Sequence, residues 1–529
     1  MAKTISPKAL HDLIAANAQE FAVVDVRGER AFSDGHLMHA ISVPLGRLEI
    51  MIGTLVPRLT TEIFVTDGGE GLSDKAAKKL EEIGYTSVAI LEGGTPGWGK
   101  TGYEIYSGFN VPSKAFGEFV EHHFGTPSVS AEELKEMLDS GQKMIVLDSR
   151  PMDEFEVMNI PTATCCPGGE LAYRIHEVAP DPDTTVVVNC AGRTRSILGA
   201  QSLINSGIPN KVVALRNGTM GWHLSGFNLE RGNLRPTALN LSSASIDDAR
   251  DRAETVAKRY GVSKVNRATA EEWLLDKNRT TLLLDVRHPH EYEAGHIPGS
   301  ISAPGGQLVQ ATDRYAGVRG SRLILVDDAN LVRATMTAHW LLQMHWDVYV
   351  LEEGLPMHDL ETGKQKVPAL MPPSVEYANV DKTKTLLDNG WIPVDVATSR
   401  DYRKGHIPGA WWLTRARIED VVKNLPEDAK GFVTTSEDGL VASYAAAELS
   451  NLTGKSAVAL QGGTAAWVSA GQSLETGETN LADEPDDVWL KPYERKGGVL
   501  EDFMREYLTW EIDLIKQIER DDLVSFKSV

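Results

Sequence analysis

Along this chain, short unbroken apolar runs alternate with longer stretches in which apolar residues recur every three or four positions. One copy of the pattern begins FAVVDVRGERAFSDGHLMHAISVP, Phe21 to Pro44, where the apolar run ends at Asp25. It continues as EIFVTDGGEGLSDKAAKKLEEIGYTSVAILEGGTPGW, which parses as strand, loop, amphipathic helix, strand and glycine turn. Strands without polar alternation are expected where both faces are covered. The pattern therefore predicts an α/β fold, a parallel sheet with helices on both faces.

The pattern occurs four times. Its first half returns as MIVLDSRPMDEFEVMNIPTATCCP from Met144, TLLLDVRHPHEYEAGHIPGSISAP from Thr281 and WIPVDVATSRDYRKGHIPGAWWL from Trp391, with apolar runs ending at Asp148, Asp285 and Asp395. Repeats this far apart are whole duplicated domains rather than solenoid units. The expected domains are 1–108, 124–232, 262–366 and 372–477, followed by a helical tail over 478–529. The connector AFGEFVEHHFGTPSVSAEEL resembles AETVAKRYGVSKVNRATAEEW, so linkers are duplicated too. In the tail, Leu500, Phe503, Tyr507, Leu508, Ile512, Leu514, Ile515 and Ile518 follow helical spacing. Without a sustained heptad, that face is expected to pack on the chain's own domains rather than on a partner helix.

Charge and cysteine content narrow the chemistry. A formal net charge of -21 with no Lys/Arg-rich run argues against nucleic-acid binding. No run reads as transmembrane, and the start MAKTISPKALHDLI lacks a signal-like apolar core, so no membrane partner and a cytoplasmic location are expected. Three cysteines, Cys165, Cys166 and Cys190, cannot staple four domains, so any important one acts as a thiol.

Cys190 stands out. In VVVNCAGRTRSILGA it follows an apolar run and precedes a helix-like segment, which puts it in a strand-to-helix turn at the carboxyl end of a sheet. Loop N–H groups, the helix N-terminus, Arg193 and Arg195 are then expected to favour the thiolate and to welcome anions. The competing reading is a buried, inert cysteine.

The DVRHPHEYEAGHIPGS stretch of Asp285 to Ser300, its three counterparts and the loop CAGRTRS resemble the rhodanese (thiosulfate sulfurtransferase) superfamily. The resemblance implies four tandem rhodanese-like domains and a double displacement, in which Cys190 takes the sulfane sulfur of thiosulfate or a similar donor as a persulfide and passes it to cyanide or a thiol. It implies Cys190 as the catalytic residue, and Ala191, Gly192, Arg193, Thr194, Arg195 and Ser196 as the substrate-binding loop. No metal and no cofactor are expected. The expected partners are a small anionic sulfur donor and a thiol or cyanide acceptor, with a protein sulfur acceptor as a further candidate. Related phosphatases on this fold use a longer Cys-x5-Arg loop, whereas here Arg195 lies five positions after Cys190, which favours sulfur over phosphoryl or arsenate chemistry. A sulfur carrier or interaction scaffold loaded by a partner is the alternative reading.

At the position of Cys190 the other copies align Asp67, Asp328, and either Ser436 or Glu437, so domains 1, 3 and 4 are expected to be silent. A carboxylate there is expected to accept hydrogen bonds from the emptied loop. Asp148 and Arg150 read as an ion pair holding a turn. His36, His296 and His406 belong to the structural GHIPG-like turn, where domain 2 has Met158-Asn159. Trp98, Trp222 and Trp467 read as packing residues, with His358 in their place in the third copy. Cys165 and Cys166 are expected to be buried.

Overall fold

The computed structural model describes residues 3–238, 240–356 and 358–527. It contains four five-stranded parallel sheets. The first is built from β1 (Lys3–Ile5), β2 (Phe21–Asp25), β3 (Ala40–Ser42), β4 (Glu62–Thr66) and β5 (Val88–Leu91), in the order β1-β5-β4-β2-β3. The second uses β6 (Ser128–Val129), β7 (Met144–Asp148), β8 (Thr164–Cys165), β9 (Thr185–Asn189) and β10 (Val212–Leu215). The third uses β11 (Ser263–Val265), β12 (Thr281–Asp285), β13 (Ile301–Ser302), β14 (Arg322–Val326) and β15 (Asp347–Leu351). The fourth uses β16 (Glu376–Ala378), β17 (Ile392–Asp395), β18 (Trp411–Trp412), β19 (Phe432–Thr435) and β20 (Ala457–Leu460). All four share one strand order. Every residue of β2, β9 and β14 is buried, as expected of strands covered on both faces.

The chain divides into two compact units. One comprises Met1–Leu10, Ala22–Phe109 and Val367–Leu490; the other comprises His11–Phe21, Asn110–Lys366 and Lys491–Val529. In the first, Arg415 joins the two sheet domains through the carboxylate of Glu49 at 2.8 Å. In the second, the connector helices Val111–Phe124 and Ser243–Tyr260 each lead into an edge strand, as the duplicated linker sequences predict. Here the two domains meet at Gly168-Gly169 and Gly305-Gly306. A side chain built on Gly306 would lie 2.8 Å from the Gly169 nitrogen, so only glycine permits this approach.

The strand-end ion pairs are structural. Arg27, Arg150 and Arg287 each clamp the Asp two residues before them and donate to the carbonyl of Gly35, Met158 or Gly295 in the following turn. The turn histidines repeat one arrangement. Nδ1 of His36, His296 and His406 meets the carbonyl of Phe32, Tyr292 or Tyr402, and each ring stacks at 3.8 Å on the aromatic side chain of that same residue. In the second domain, Asn159 makes the equivalent bond to the Phe155 carbonyl. Trp98, Trp222 and Trp467 each donate to a carbonyl six residues ahead. His358 does not take this role: it is exposed, and no helix forms there among the described residues.

Candidate functional site

Cys190 follows directly on β9, and the Thr194–Asn205 helix begins four residues later. The loop is pinned from behind. Thr219 donates to the Cys190 carbonyl through both its backbone N–H and its hydroxyl at 2.8 Å, and the Met220 N–H donates to the Ala191 carbonyl. Gly218, at φ 53, is required here, because an added side chain would stand 2.3 Å from the Cys190 carbonyl oxygen. The Cys190 sulfur lies 3.5 Å from the Ser196 hydroxyl, which itself donates to the Arg193 carbonyl. Only 2% of Cys190 is exposed, so the sulfur is held inside the protein.

The two arginines of the loop have separate fates. Arg193 is turned onto the Val111–Phe124 helix, where Glu118 binds it at 2.7 and 2.8 Å and Glu121 also pairs with it. Arg195 pairs with Glu154 at 2.8 Å and reaches Gln307 of the third domain at 3.3 Å. Burial alone would raise the Glu154 carboxyl; Arg195 outweighs it and brings the group down to about 2. The rim that looked cationic in sequence is therefore charge-compensated.

Two residues at this loop come from far along the chain. The C-terminal helix Leu500–Ile518 packs Met504 and Leu508 against Met220, with Ala191 and Tyr507 at the margin. Glu511 is 1% exposed. Its Oε1 accepts from Lys114 Nζ at 2.6 Å, Tyr507 OH at 3.1 Å and Thr194 Oγ1 at 3.4 Å. Its Oε2 has no hydrogen-bond partner and stands 2.8 Å from where a side chain on Gly192 would begin. Lys114 also bonds the Tyr507 hydroxyl. Burial first, then the charge of Glu511, pushes the Tyr507 hydroxyl well up and keeps it protonated. The helical spacing of the tail singled out Tyr507 but neither Glu511 nor Lys114, and it included Ile512, which is exposed.

The other loops show what this position holds. Backbone bonding aligns Cys190 with Asp67, Asp327 and Ser436: each directly follows the residue whose carbonyl receives the N–H of Ser149, Val26, Val286 or Val396. The third counterpart is thus Asp327, not Asp328, because β14 ends at Val326 opposite Asp285. The fourth is Ser436, since β19 ends at Thr435 opposite Asp395. Asp67 accepts from the N–H groups of Gly69 and Ser73 at 2.9 Å. Asp327 accepts from the Asp328 and Ala334 N–H groups and from Arg333 Nε at 2.8 to 2.9 Å. These loops hold a fixed anion.

Cys165 and Cys166 belong to separate core clusters. All three cysteines are free thiols, and Cys165 donates to the Arg150 carbonyl at 3.3 Å. Burial pushes the Cys165 thiol up to about 12 and raises Cys166 as well, so both are poor nucleophiles. Among the described residues, no cluster of three or more His, Cys, Asp or Glu could hold a metal, and no helix is long and apolar enough to cross a membrane.

Repeated parallel sheets that each present one residue to a donor-rich strand-to-helix loop, a cysteine in one copy, define a class of α/β sulfur-handling domain. The model of the rhodanese-like domain matches residues 6–101, 130–225, 268–357 and 379–470. The chain belongs to the rhodanese family of sulfurtransferase domains, in four tandem copies. It is 45% identical to the solved structure of thiosulfate sulfurtransferase from Pseudomonas aeruginosa, with a TM-score of 0.94 and 100% of both chains covered. It is also 28% identical over 163 residues to YrkF of Bacillus subtilis, named as a candidate sulfur carrier protein; the match spans 28% of this chain and 84% of that one.

Proposed function

We propose that this protein is a thiosulfate sulfurtransferase that works through a persulfide on Cys190. The observation that carries the reading is the equivalence of Cys190 with Asp327. Where the third domain holds a carboxylate on two N–H groups and an arginine, the second holds the one cysteine in such a loop, with Arg195 at the place of Arg333. A site that supplies N–H groups and an arginine to a carboxylate also offers donors to a thiolate, a persulfide and the anions exchanged with them.

In the first step the Cys190 thiolate attacks the outer sulfur of thiosulfate. The S–S bond of the donor breaks, and its electron pair leaves with sulfite. In the second, cyanide or an acceptor thiolate attacks the outer sulfur of the persulfide, and Cys190 departs as the thiolate that began the cycle. No net oxidation of the protein occurs. Ala191, Gly192, Arg193, Thr194, Arg195 and Ser196 form the binding loop in this reading. Arg195 is the guanidinium acting on the sulfur, whereas Arg193 holds the loop to the Val111–Phe124 helix.

The burial of Cys190 and the YrkF match favour a second reading, a sulfur carrier loaded by a partner protein. One experiment separates them. The reduced protein is incubated with thiosulfate, freed of excess, and measured by intact mass and peptide mapping. One sulfur added at Cys190 and removable by cyanide is expected. No adduct from thiosulfate, but loading from a protein persulfide, would replace this reading with the carrier.

A further inference from the structure

We propose that the buried Lys114–Glu511 pair is a specificity determinant of the Cys190 site, with Glu511 screening anions that approach the loop. Both residues lie outside the four segments that match the rhodanese-like domain. The inference rests on Cys190 being the sulfur-bearing residue, since it names what governs access to that sulfur.

The geometry is asymmetric. The Glu511 oxygen that faces away from Gly192 is covered by Lys114, Tyr507 and Thr194. The oxygen against Gly192, two residues from Cys190, has no hydrogen-bond partner. The unbonded oxygen of the pair therefore faces Gly192, while Lys114 caps the other oxygen and sits over the Tyr507 and Trp510 rings. Lys114 compensates the carboxylate from one side only, and the loop arginines add nothing further: Arg193 is neutralised by Glu118 and Glu121, and Arg195 by Glu154. Within a buried site, such a charge acts at greater strength than in water. A buried carboxylate oxygen without a hydrogen-bond partner costs stability. A role in discrimination accounts for its position: the carboxylate tempers the entry of a small dianion, thiosulfate included, relative to a neutral or zwitterionic reactant of the same size.

The test uses two alkylating reagents that differ in charge and little in size, iodoacetate and iodoacetamide, on the full chain. Rates at Cys190 are read by peptide mapping and normalised to a free thiol. Glu511→Gln should raise the iodoacetate-to-iodoacetamide ratio by roughly tenfold, and Lys114→Met, which leaves the carboxylate uncompensated, should lower it. Opposite signs are the expected result. If both variants speed both reagents alike, the C-terminal helix is a steric cover and the proposal fails; an unmoved ratio in Glu511→Gln also overturns it. Thermal melts establish that each variant is folded, and Glu511→Gln alone decides should Lys114→Met not fold. Alkylation requires no sulfur transfer, so failure here is distinct from failure of the persulfide reading, under which Glu511→Gln would also raise kcat/KM for thiosulfate.

Discussion

The loops at Cys190 and Asp327 sit in the same unit, on the same scaffold, and do opposite things. Each is followed by a buried arginine that reaches back to the carboxylate after its own D-x-R clamp: Arg195 to Glu154, and Arg333 to Glu291 at 2.7 Å. Each arginine also crosses to the other domain, Arg195 to Gln307 and Arg333 to Glu170 at 3.0 Å. The difference is the residue at the focus. Asp327 consumes the donors around it, and Arg333 spends its charge on four carboxylates. Cys190 makes one long contact, to Ser196, and engages no ion pair. One architecture thus serves as a locked ion-pair hub in one copy and, in the proposed function, as the sulfur-bearing site in the other.

The sharpest way to break this comparison is to remove both foci. Cys190→Ser should abolish sulfur transfer, a loss of at least about a thousandfold, while leaving the melting temperature in place, because the serine fills the same space at a site that carries no network. Asp327→Asn should do the reverse, with sulfur transfer per folded molecule retained and stability lowered. Assays of persulfide formation beside thermal melts for both variants check the pair. Activity surviving in Cys190→Ser would end the assignment of roles.

Next in size is Arg333→Met. It strands Asp327 in the interior and takes one ion-pair partner from Glu170 and Glu291, and breaking a buried network from one side costs about 3–5 kcal/mol. Arg195→Met strands only Glu154, so it should cost about half as much in urea unfolding while reducing kcat/KM for thiosulfate roughly tenfold or more. If Arg195→Met destabilised as severely as Arg333→Met, the two arginines would be equally structural.

These roles were unequally visible in the sequence. The four sheets and the loop holding Cys190 follow from apolar runs that end at Asp25, Asp148, Asp285 and Asp395, since continuous apolar strands signal sheets buried on both faces. The Asp327 focus was obscured because VDDANLVRA offers adjacent aspartates, and only the register of β14 with β12 chooses between them. Glu511 was invisible for another reason. It meets Thr194 across 317 residues, and a glutamate on an amphipathic helix reads as a solvated face unless the lysine that buries it is known. The carboxylates that neutralise Arg193 and Arg195 were hidden in the same way, by distance along the chain.

The same comparison extends to the strand ends, where the fourth domain departs. Asp395 has Ala397 where the other copies have arginine, and its carboxylate accepts the Ala397 N–H at 2.8 Å instead. Burial pushes it up to about 7, with that single hydrogen bond opposing. The unfolded group titrates near the ordinary 3.8. The folded state therefore binds the proton more tightly. Its contribution to stability is complete below about pH 4, falls as the pH rises and is gone above about pH 7. Asp395→Asn should stabilise the protein by about 2–4 kcal/mol at about pH 8 and by almost nothing at about pH 4, measured by urea unfolding at both. A gain equal at both values would mean that the carboxyl titrates alike in the folded and unfolded states.

The smallest effect is one the molecule has already tried. In three copies a histidine ring bonds the carbonyl four residues before it and stacks on that residue's aromatic ring, while in the second domain Asn159 keeps the bond at 3.0 Å without a ring to stack. His296→Asn should therefore retain the bond to the Tyr292 carbonyl and lose only the stacking, about 0.5–1.5 kcal/mol. His296→Ala should cost more, because the buried Tyr292 carbonyl then lacks its side-chain partner. Melting both variants against the parent measures the bond and the ring separately. If asparagine proved as damaging as alanine, the ring itself would be the structural element, and the second domain would need some other means of holding its turn.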